Sequence, residues 1–268
     1  MLPGVYSARK KNGEVYYRSS ITYRNKHISL GSYTQETSAN MAYLLAGEVI
    51  ESTSTWTIEN YPLDCILTFD KWVALINFRD NGIYFKNPIY LKKRYFFYYI
   101  DKTIYYTFDA EDLFYYAHHK IMKRGGHIFV SDFGMQVNIL SRYGIKNFAV
   151  AGRDYSFMNG DSHDFRYHNI ELINRYYGVS KIYQKGIPKY VAKIHLKGNF
   201  IIGCYSTETE AAIAYNKAVL LTREYGITKN FPQNFIDGVD EITYAALYQK
   251  IRISKKLLSY LSNIPASN

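Results

Sequence analysis

The fold is decided by residues 177–218, which read YGVSKIYQKGIPKYVAKIHLKGNFIIGCYSTETEAAIAYNKA. From Lys189 to Lys197 the side chains alternate with a period of two, which predicts a β-strand with one face in a core. The inner face should carry Tyr190, Ala192, Ile194 and Leu196, and the outer face Lys189, Val191, Lys193, His195 and Lys197. A helical spacing follows over Glu208 to Arg223, with Ser206 or Thr207 as the cap and with small residues inside: Ala211, Ala214, Tyr215 and Ala218.

A second copy of this plan lies near the N-terminus. Gly4-Val5 matches Gly178-Val179, and Leu30-Gly31-x-Tyr33 matches Ile202-Gly203-x-Tyr205. The helical residues also align, Ala39, Ala42-Tyr43 and Ala46 with Ala211, Ala214-Tyr215 and Ala218, and Thr34 should begin the first helix. The register drifts only where hairpin turns are expected, and turns tolerate length changes. The sequence therefore predicts a duplicated module of three antiparallel strands and one helix.

Composition limits the class of protein. The 268 residues contain 33 Lys plus Arg against 23 Asp plus Glu, a formal charge of +10 that favours a polyanionic partner. No run approaches the ~20 apolar residues of a membrane span, and the N-terminus lacks the apolar core of a signal peptide. The two cysteines, Cys65 and Cys204, lie far apart. We expect a cytoplasmic or viral-cytoplasmic protein whose polyanionic partner is nucleic acid and which has no membrane span; charge alone would also suit an acidic membrane surface.

Basic residues are concentrated on the predicted strands. From Arg175 to Asn199 the chain carries six basic residues and no acidic one, and from Gly4 to Lys26 it carries six against Glu14 alone. A small twisted sheet with Lys and Arg on one face fits the major groove, where these side chains meet phosphates and guanines. The alternative is a charged face that only meets solvent.

The second copy resembles the ethylene-response-factor (APETALA) type of DNA-binding domain, which occurs in plant transcription factors and attached to phage and bacterial endonucleases. The resemblance rests on Tyr177-Gly178-Val179, Lys189 to Ile194, Ile202-Gly203-x-Tyr205, the helix from Glu208, and Asn230-Phe231. It implies that three strands dock in the major groove with the helix behind them. The contacts it implies are Lys181, Lys189, Lys193, His195 and Lys197, and, in the more divergent first copy, Arg9, Lys11, Arg18 and Arg24.

The region between the copies resembles the His-Asn-His type of homing endonuclease domain. The resemblance rests on Asn159-Gly160-Asp161 and Asp164-x-Arg166-x-x-Asn169. This chain has Ser156-Phe157 where that family has Asp-His, and Leu140-Ser141-Arg142 where it has Leu-His-Arg. Phenylalanine can neither accept a proton nor bind a metal. We therefore expect a degenerate nuclease scaffold with no catalytic residue, metal or cofactor, in which Asn159, Asp164, Arg166 and Asn169 tie a loop together and Arg166 can contact phosphate.

Two alternatives concern this central region. It could be an active endonuclease in which His163, Asp164, His168 and Asn169 act with Mg²⁺ or another divalent metal. The stretch from Tyr95 to Gly125 also loosely resembles a third copy of the module. The nuclease-like interpretation predicts a helix from Leu113 to Lys123 and a strand from His127 to Val130. Three earlier runs look like strands: Cys65 to Phe69, Trp72 to Phe78 and Gly82 to Phe85.

The whole sequence thus predicts an α+β protein with four parts. Residues 1–50 and 174–232 form the two modules, 51–173 the nuclease-like domain, and 233–268 a C-terminal helix. That helix, about Val239 to Leu261, should pack on the second module; homodimerisation through it and binding to a membrane surface are the alternatives. The resemblances imply a sequence-specific regulator or architectural protein of phage or bacterial type that binds double-stranded DNA in the cytoplasm of a bacterial or phage-infected cell. They favour no catalytic activity, and the metal-dependent endonuclease is the alternative.

Overall fold

The structure, a computed structural model, describes residues 1–52 and 55–263. It is an α+β protein built from small antiparallel sheets and short helices. The described residues form two compact bodies. The N-terminal body contains residues 1–139 and 158–169, and the C-terminal body contains residues 140–157 and those from 170 onward.

The N-terminal body begins with a module of three strands and one helix. Strands β1 (Val5–Arg9), β2 (Val15–Tyr23) and β3 (Lys26–Tyr33) pair in sequence order, and helix α1 (Glu36–Glu51) follows. The helix packs its alanines on the inner face of the sheet, where Ile28 and Leu30 are buried. Helix α2 (Phe69–Asn81) packs on α1 and completes this core.

Two further sheets complete the N-terminal body. The first contains β4 (Ile89–Leu91), β5 (Tyr95–Tyr99) and β6 (Tyr105–Asp109), and it is followed by a 3₁₀ helix (Ala110–Asp112) and α3 (Leu113–His118). The second contains β7 (Ile121–Arg124), β8 (His127–Asp132) and β9 (Met135–Asn138). A 3₁₀ helix at Tyr167–Asn169 also belongs to this body, whereas the 3₁₀ helix at Ile139–Tyr143 lies almost wholly in the C-terminal body.

The C-terminal body holds the second module. A short ribbon of β10 (Tyr155–Phe157) and β11 (Ile170–Leu172) precedes β12 (Val179–Gln184), β13 (Ile187–His195) and β14 (Asn199–Tyr205), which again pair in sequence order. Helix α4 (Glu208–Glu224) packs on this sheet, and α5 (Glu241–Lys250) and α6 (Lys255–Ser262) follow. Leu257 and Leu261 of α6 are fully buried in the same core as Ala211 and Ile194, so the C-terminal segment packs on the second module.

The duplication is confirmed in the details of the backbone. Both sheets have a β-bulge at the same place, Leu30 in β3 and Ile202 in β14, and both bulged side chains are buried. The amide of Ser20 donates to the Gly4 carbonyl at 3.0 Å, and the amide of Lys193 donates to the Gly178 carbonyl at 2.7 Å.

The matching glycines explain why these positions are repeated. Gly4 has φ +72° and Gly178 has φ +69°, a conformation that favours glycine. A Cβ atom would lie 2.1 Å from the Tyr43 ring at Gly4 and 2.2 Å from the Tyr215 ring at Gly178. Each module therefore needs a glycine that lets a helix tyrosine lie flat against the start of its first strand.

Several local predictions were wrong. Cys65 to Phe69 and Gly82 to Phe85 are not strands: the first is an irregular segment that enters α2 at Phe69, and the second is a loop that follows α2. Trp72 to Phe78 lies inside α2, because an unbroken buried run does not reveal its period; α2 buries every residue from Trp72 to Arg79. Helix α3 ends at His118, and Ile121–Arg124 is a strand. Thr34 does not cap α1, whose N-cap is Gln35. The C-terminal segment forms two helices because Ser254 accepts a hydrogen bond from the Leu257 amide and starts a new one; residues 264–268 of that predicted part lie outside the described residues.

The sheet of β4, β5 and β6 shares its strand order with the modules. It too is followed by helical turns, and Tyr116 of α3 packs on Phe96 and Phe108. Its ladder between β5 and β6 is unbroken, however, whereas both modules have a bulge in the corresponding ladder. The proposed third copy therefore shares the order of elements but not the feature that the two modules have in common.

Candidate nucleic-acid interface

The sheet of the second module presents one basic face. The strand registers pair Lys189 with Ile182, Lys193 with Ile201, and His195 with Asn199, and directly opposed residues of an antiparallel pair point to the same side. Their neighbours Ala192 and Ile194 point the other way and are fully buried under α4. Lys189, Lys193 and His195 thus share the outer face, as predicted from the alternation.

Local contacts hold the edges of this outer face. Lys189 Nζ donates to Ser206 Oγ at 3.1 Å, and His195 Nδ1 lies 2.9 Å from Asn199 Oδ1. Lys197 is exposed in the turn that joins β13 to β14. Lys193 and His195 are exposed as well. The face therefore offers cationic groups along β13 and beyond its end.

Lys181 does not belong to this face, which corrects the prediction. It pairs with Tyr190, an inward residue, so its side chain leaves the sheet on the side of α4. Its Nζ lies 5.6 Å from the Tyr183 ring centre, and the Tyr183 hydroxyl raises the pKa of Lys181. Val179, two residues before Lys181 in β12, is buried, and side chains two residues apart in a strand point to the same side of the sheet.

The outer face also carries apolar groups that the sequence interpretation missed. Ile201 is 57% exposed, Cys204 is an exposed free thiol, and Ile182 is half-buried beside Lys189. Val191, which the alternation predicted on this face, is buried, with 8% of its surface exposed. The pairing pattern of a predicted hairpin would have placed these residues beside the lysines. A surface that mixes methyl groups with lysines can contact thymine methyl groups and phosphates together.

The first module presents a different outer face. Arg18 pairs with Tyr6 and Ser32 on that face, donates to the Tyr16 hydroxyl at 2.8 Å through Nη2 and lies over the Tyr16 ring. Of the four residues predicted to contact DNA here, only Arg18 lies there.

The other three lie elsewhere. Arg9 pairs with Val15, which lies on the same side of the sheet as inward-facing Tyr17. Lys11 is in the first hairpin turn. Arg24, in the turn after β2, lies over the Tyr23 ring, and its Nη1 donates to the Phe78 carbonyl at 3.3 Å. Arg24 therefore helps to hold α2 against the sheet.

The loop of residues 159–169 in the N-terminal body is tied together by the hydrogen bonds expected of Asn159, Asp164, Arg166 and Asn169. Asn169 Oδ1 accepts from the Asn159 amide at 2.8 Å, and Asn159 Nδ2 donates to Asp164 Oδ2 at 3.0 Å. Arg166 donates to both oxygens of Asp164, at 2.8 and 2.6 Å, and lies over the Tyr95 ring. Burial alone would raise the pKa of Asp164, but the hydrogen bonds from Arg166 and Asn159 outweigh it and hold that pKa below its usual value.

The residues of the nuclease alternative do not form a metal site. His163 stacks on Tyr106, with ring centres 5.3 Å apart, and its Nδ1 faces Asp161 at 3.5 Å. Both oxygens of Asp164 accept hydrogen bonds from Arg166 and Asn159, both ends of the Asn169 amide bond the loop, and His168 is exposed. Within residues 1–52 and 55–263, no group of three or more His, Cys, Asp or Glu side chains could hold a metal ion. These residues do not fit the divalent metal that such chemistry needs.

No protein-family model, no curated protein and no solved structure matches this chain. In the part of the chain that the structure describes, none of the helices has the length and apolar character to cross a membrane.

Proposed function

We propose that this protein binds double-stranded DNA through the outer face of β12, β13 and β14, laid in the major groove. The observation that carries the proposal is the shared face of Lys189, Lys193 and His195, with Lys197 at its end, on a sheet supported from behind by α4. The resemblance to the ethylene-response-factor domain implies the same docking, with the helix away from the DNA.

Charge and packing both favour this face. The chain carries a formal charge of +10, and the second module has no acidic residue from Arg175 to Asn199. Its acids Glu208 and Glu210 lie in the first turn of α4, where both interact favourably with the helix dipole, and Glu210 forms a capping box with Thr207. The negative charges of this module are thus used to build the helix, and the positive charges are left for a polyanion.

The proposed biological role is that of a DNA-binding regulator or architectural protein of phage or bacterial type, with a central region that cuts nothing. In this proposal the first module makes the weaker contact, because Arg18 and His27 on the equivalent face stand among hydroxyl-bearing side chains. Two linked contacts on one duplex would still raise the apparent affinity if the linkage lets both engage.

The salt dependence of binding tests the proposal. We expect log K for a random 30-base-pair duplex, measured by fluorescence anisotropy, to fall linearly with log salt. Changing Lys193→Gln and Lys197→Gln together should reduce the slope by about 1.8, because each neutralised phosphate contributes about 0.9. Arg18→Gln should reduce it by about 0.9 at most.

Lys181→Gln is the matched control, since it removes the same charge from the opposite side of the same sheet. Its slope should equal that of the unaltered protein. A double variant that keeps the full slope, or a protein that ignores duplexes at low ionic strength, would overturn the proposal.

A further inference from the structure

A groove of about 580 Å³ lies beside the second module, inside the C-terminal body. One wall is the end of the sheet, with Lys193 and His195, and Lys229 after α4. The other wall is the loop of residues 146–154. Its volume is in the range of pockets that hold ligands of small-molecule size, about 300 to 1,000 Å³.

The loop wall is built rigidly around one buried carboxylate. Asp154 accepts hydrogen bonds from the Val150 amide at 2.9 Å and from Arg153 at 2.7 Å, and its other oxygen pairs with Lys146 at 3.1 Å. Its carbonyl accepts from the Ile173 and Asn174 amides, both at 2.9 Å. These bonds join the loop to the segment that leads into β12.

The groove is lined by more positive than negative charge. The lining includes one carboxylate, that of Asp154, and four cationic side chains: Lys146, Arg153, Lys193 and Lys229. Lys146 is mostly buried and is bonded to Asp154 and to the Tyr176 carbonyl. Arg153 also donates to Asp154, through Nε and Nη2, but its side chain is 63% exposed, and Lys193 is exposed. Lys193 belongs both to this groove and to the outer face proposed to meet DNA.

A phenylalanine at the rim of the groove has a strained backbone conformation. Phe148 is 95% exposed and has φ +63°, at the third position of a turn closed by the Ala149 amide on the Lys146 carbonyl. Glycine or asparagine is favoured at such a position. A phenylalanine there is costly for the backbone and buries nothing, so its place in the turn is unexplained by folding.

We propose that the groove takes one strand of the bound DNA beyond the sheet, with backbone phosphates on Lys193 and Arg153 and with Phe148 stacked against an unstacked base. This inference rests on the proposed function, because Lys193 is the point where the two surfaces join. Apolar wedges that enter a base step kink the duplex, and an aromatic ring can stack on any base. The ligand of the groove is thus a phosphodiester backbone with one exposed base.

The test uses a change that should improve folding and impair binding. Phe148→Gly removes the backbone strain, so the thermal midpoint should rise, while affinity for a duplex should fall about tenfold through the loss of one stacked base. Phe148→Trp should keep the affinity, and its fluorescence should be quenched when duplex is added. The two native tryptophans, Trp56 and Trp72, both lie in the N-terminal body, and Trp72 is fully buried.

Phe133 provides the matched control. It is 97% exposed with φ +46°, at the tip of the hairpin of β8 and β9, and Phe133→Gly should also raise the midpoint but leave the affinity unchanged. If the protein binds duplex through Lys193 and Lys197 but Phe148→Gly binds equally well, the groove proposal fails and the proposed function stands. If the unaltered protein binds no duplex, both fail.

Discussion

The two modules share a backbone and differ in the surface they present. Tyr16, Ser20 and Thr22 of the first module occupy the positions of Lys189, Lys193 and His195 in the second, as the common bulge and register show. At two positions the first module instead carries the basic residue: Arg18 where the second has Val191, and His27 where the second has Asn199. The outer face is therefore basic in one copy and rich in hydroxyl groups in the other.

The features that build the fold are the ones that both copies keep. Besides the glycine and the bulge, each has a tyrosine at the end of its third strand that donates to a later carbonyl: Tyr33 to Ile66 at 3.2 Å, and Tyr205 to Arg252 at 3.3 Å. Burial raises the pKa of both hydroxyls, to about 12 for Tyr205, so both remain donors. The features that both modules share are those that folding requires, and the features in which they differ are those that we propose for DNA binding.

The largest expected effect comes from the paired glycines. Gly178→Ala should lower the free energy of unfolding by about 4 kcal/mol, because a Cβ would lie 2.5 Å from the Lys193 carbonyl as well as against the Tyr215 ring. Gly4→Ala should cost about 3 kcal/mol, since it meets the Tyr43 ring.

Urea unfolding separates the two copies. Both tryptophans are in the N-terminal body, so Gly4→Ala should shift the fluorescence transition, and Gly178→Ala should shift the far-UV circular dichroism. Gly186→Ala, at a similar φ of +78° but with open space around it, should cost about 1 kcal/mol. Equal stability of Gly178→Ala and Gly186→Ala would contradict the role given to the tyrosine contact.

A second predicted effect concerns a buried charged side chain that braces neighbouring backbone segments in each body. In the N-terminal body Arg79 donates to the Val49 carbonyl in the last turn of α1 and to the Ser52 and Trp56 carbonyls after it. In the C-terminal body Asp154 holds the loop before β12. Asp154→Asn leaves Lys146 buried without its anion and should cost about 3 kcal/mol.

The two braces should also differ in their response to acid. Burial would raise the pKa of Asp154, but hydrogen bonds from Arg153, Val150 and Lys146 outweigh it and lower that pKa. Its stabilisation is thus complete above about pH 4 and is lost as the pH falls through the lowered value. A guanidinium group gains no proton in this range, so the acid limb of the stability curve reports on carboxylates. When the free energy of unfolding is measured against pH by circular dichroism, Asp154→Asn should reduce the loss of stability at acid pH. An unchanged loss would contradict this account.

The smallest effect separates the two helix starts. Helix α4 has a complete capping box between Thr207 and Glu210, whereas the N-cap of α1, Gln35, makes no side-chain hydrogen bond. Thr207→Ala should cost about 1 kcal/mol, Gln35→Ala almost nothing, and Gln35→Thr should stabilise by up to about 1 kcal/mol. Denaturant midpoints check all three; a loss at Gln35 equal to that at Thr207 would show that the two helices start alike.

The duplication, the α+β class and the basic strand face could be predicted from sequence because each depends on local periodicity. The side of the sheet on which Lys181 lies was missed because its contact was taken from the resemblance and not from the alternation along β12, where Lys181 shares the side of buried Val179. The interior of α2 was misread because all its sides are buried. The groove beside the second module joins residues about 50 or 80 positions apart, such as Lys146, Lys193 and Lys229, and no spacing in the sequence indicates it.

The contrast between the modules can be measured in one molecule, by amine-reactivity footprinting with mass spectrometry, with and without a DNA duplex. We predict that the duplex protects Lys189, Lys193 and Lys197 and leaves Lys181, Lys11 and Lys26 as reactive as before. Protection confined to the first module, or an equal loss of reactivity at Lys181 and Lys193, would contradict the assignment of DNA binding to the outer face of the second sheet.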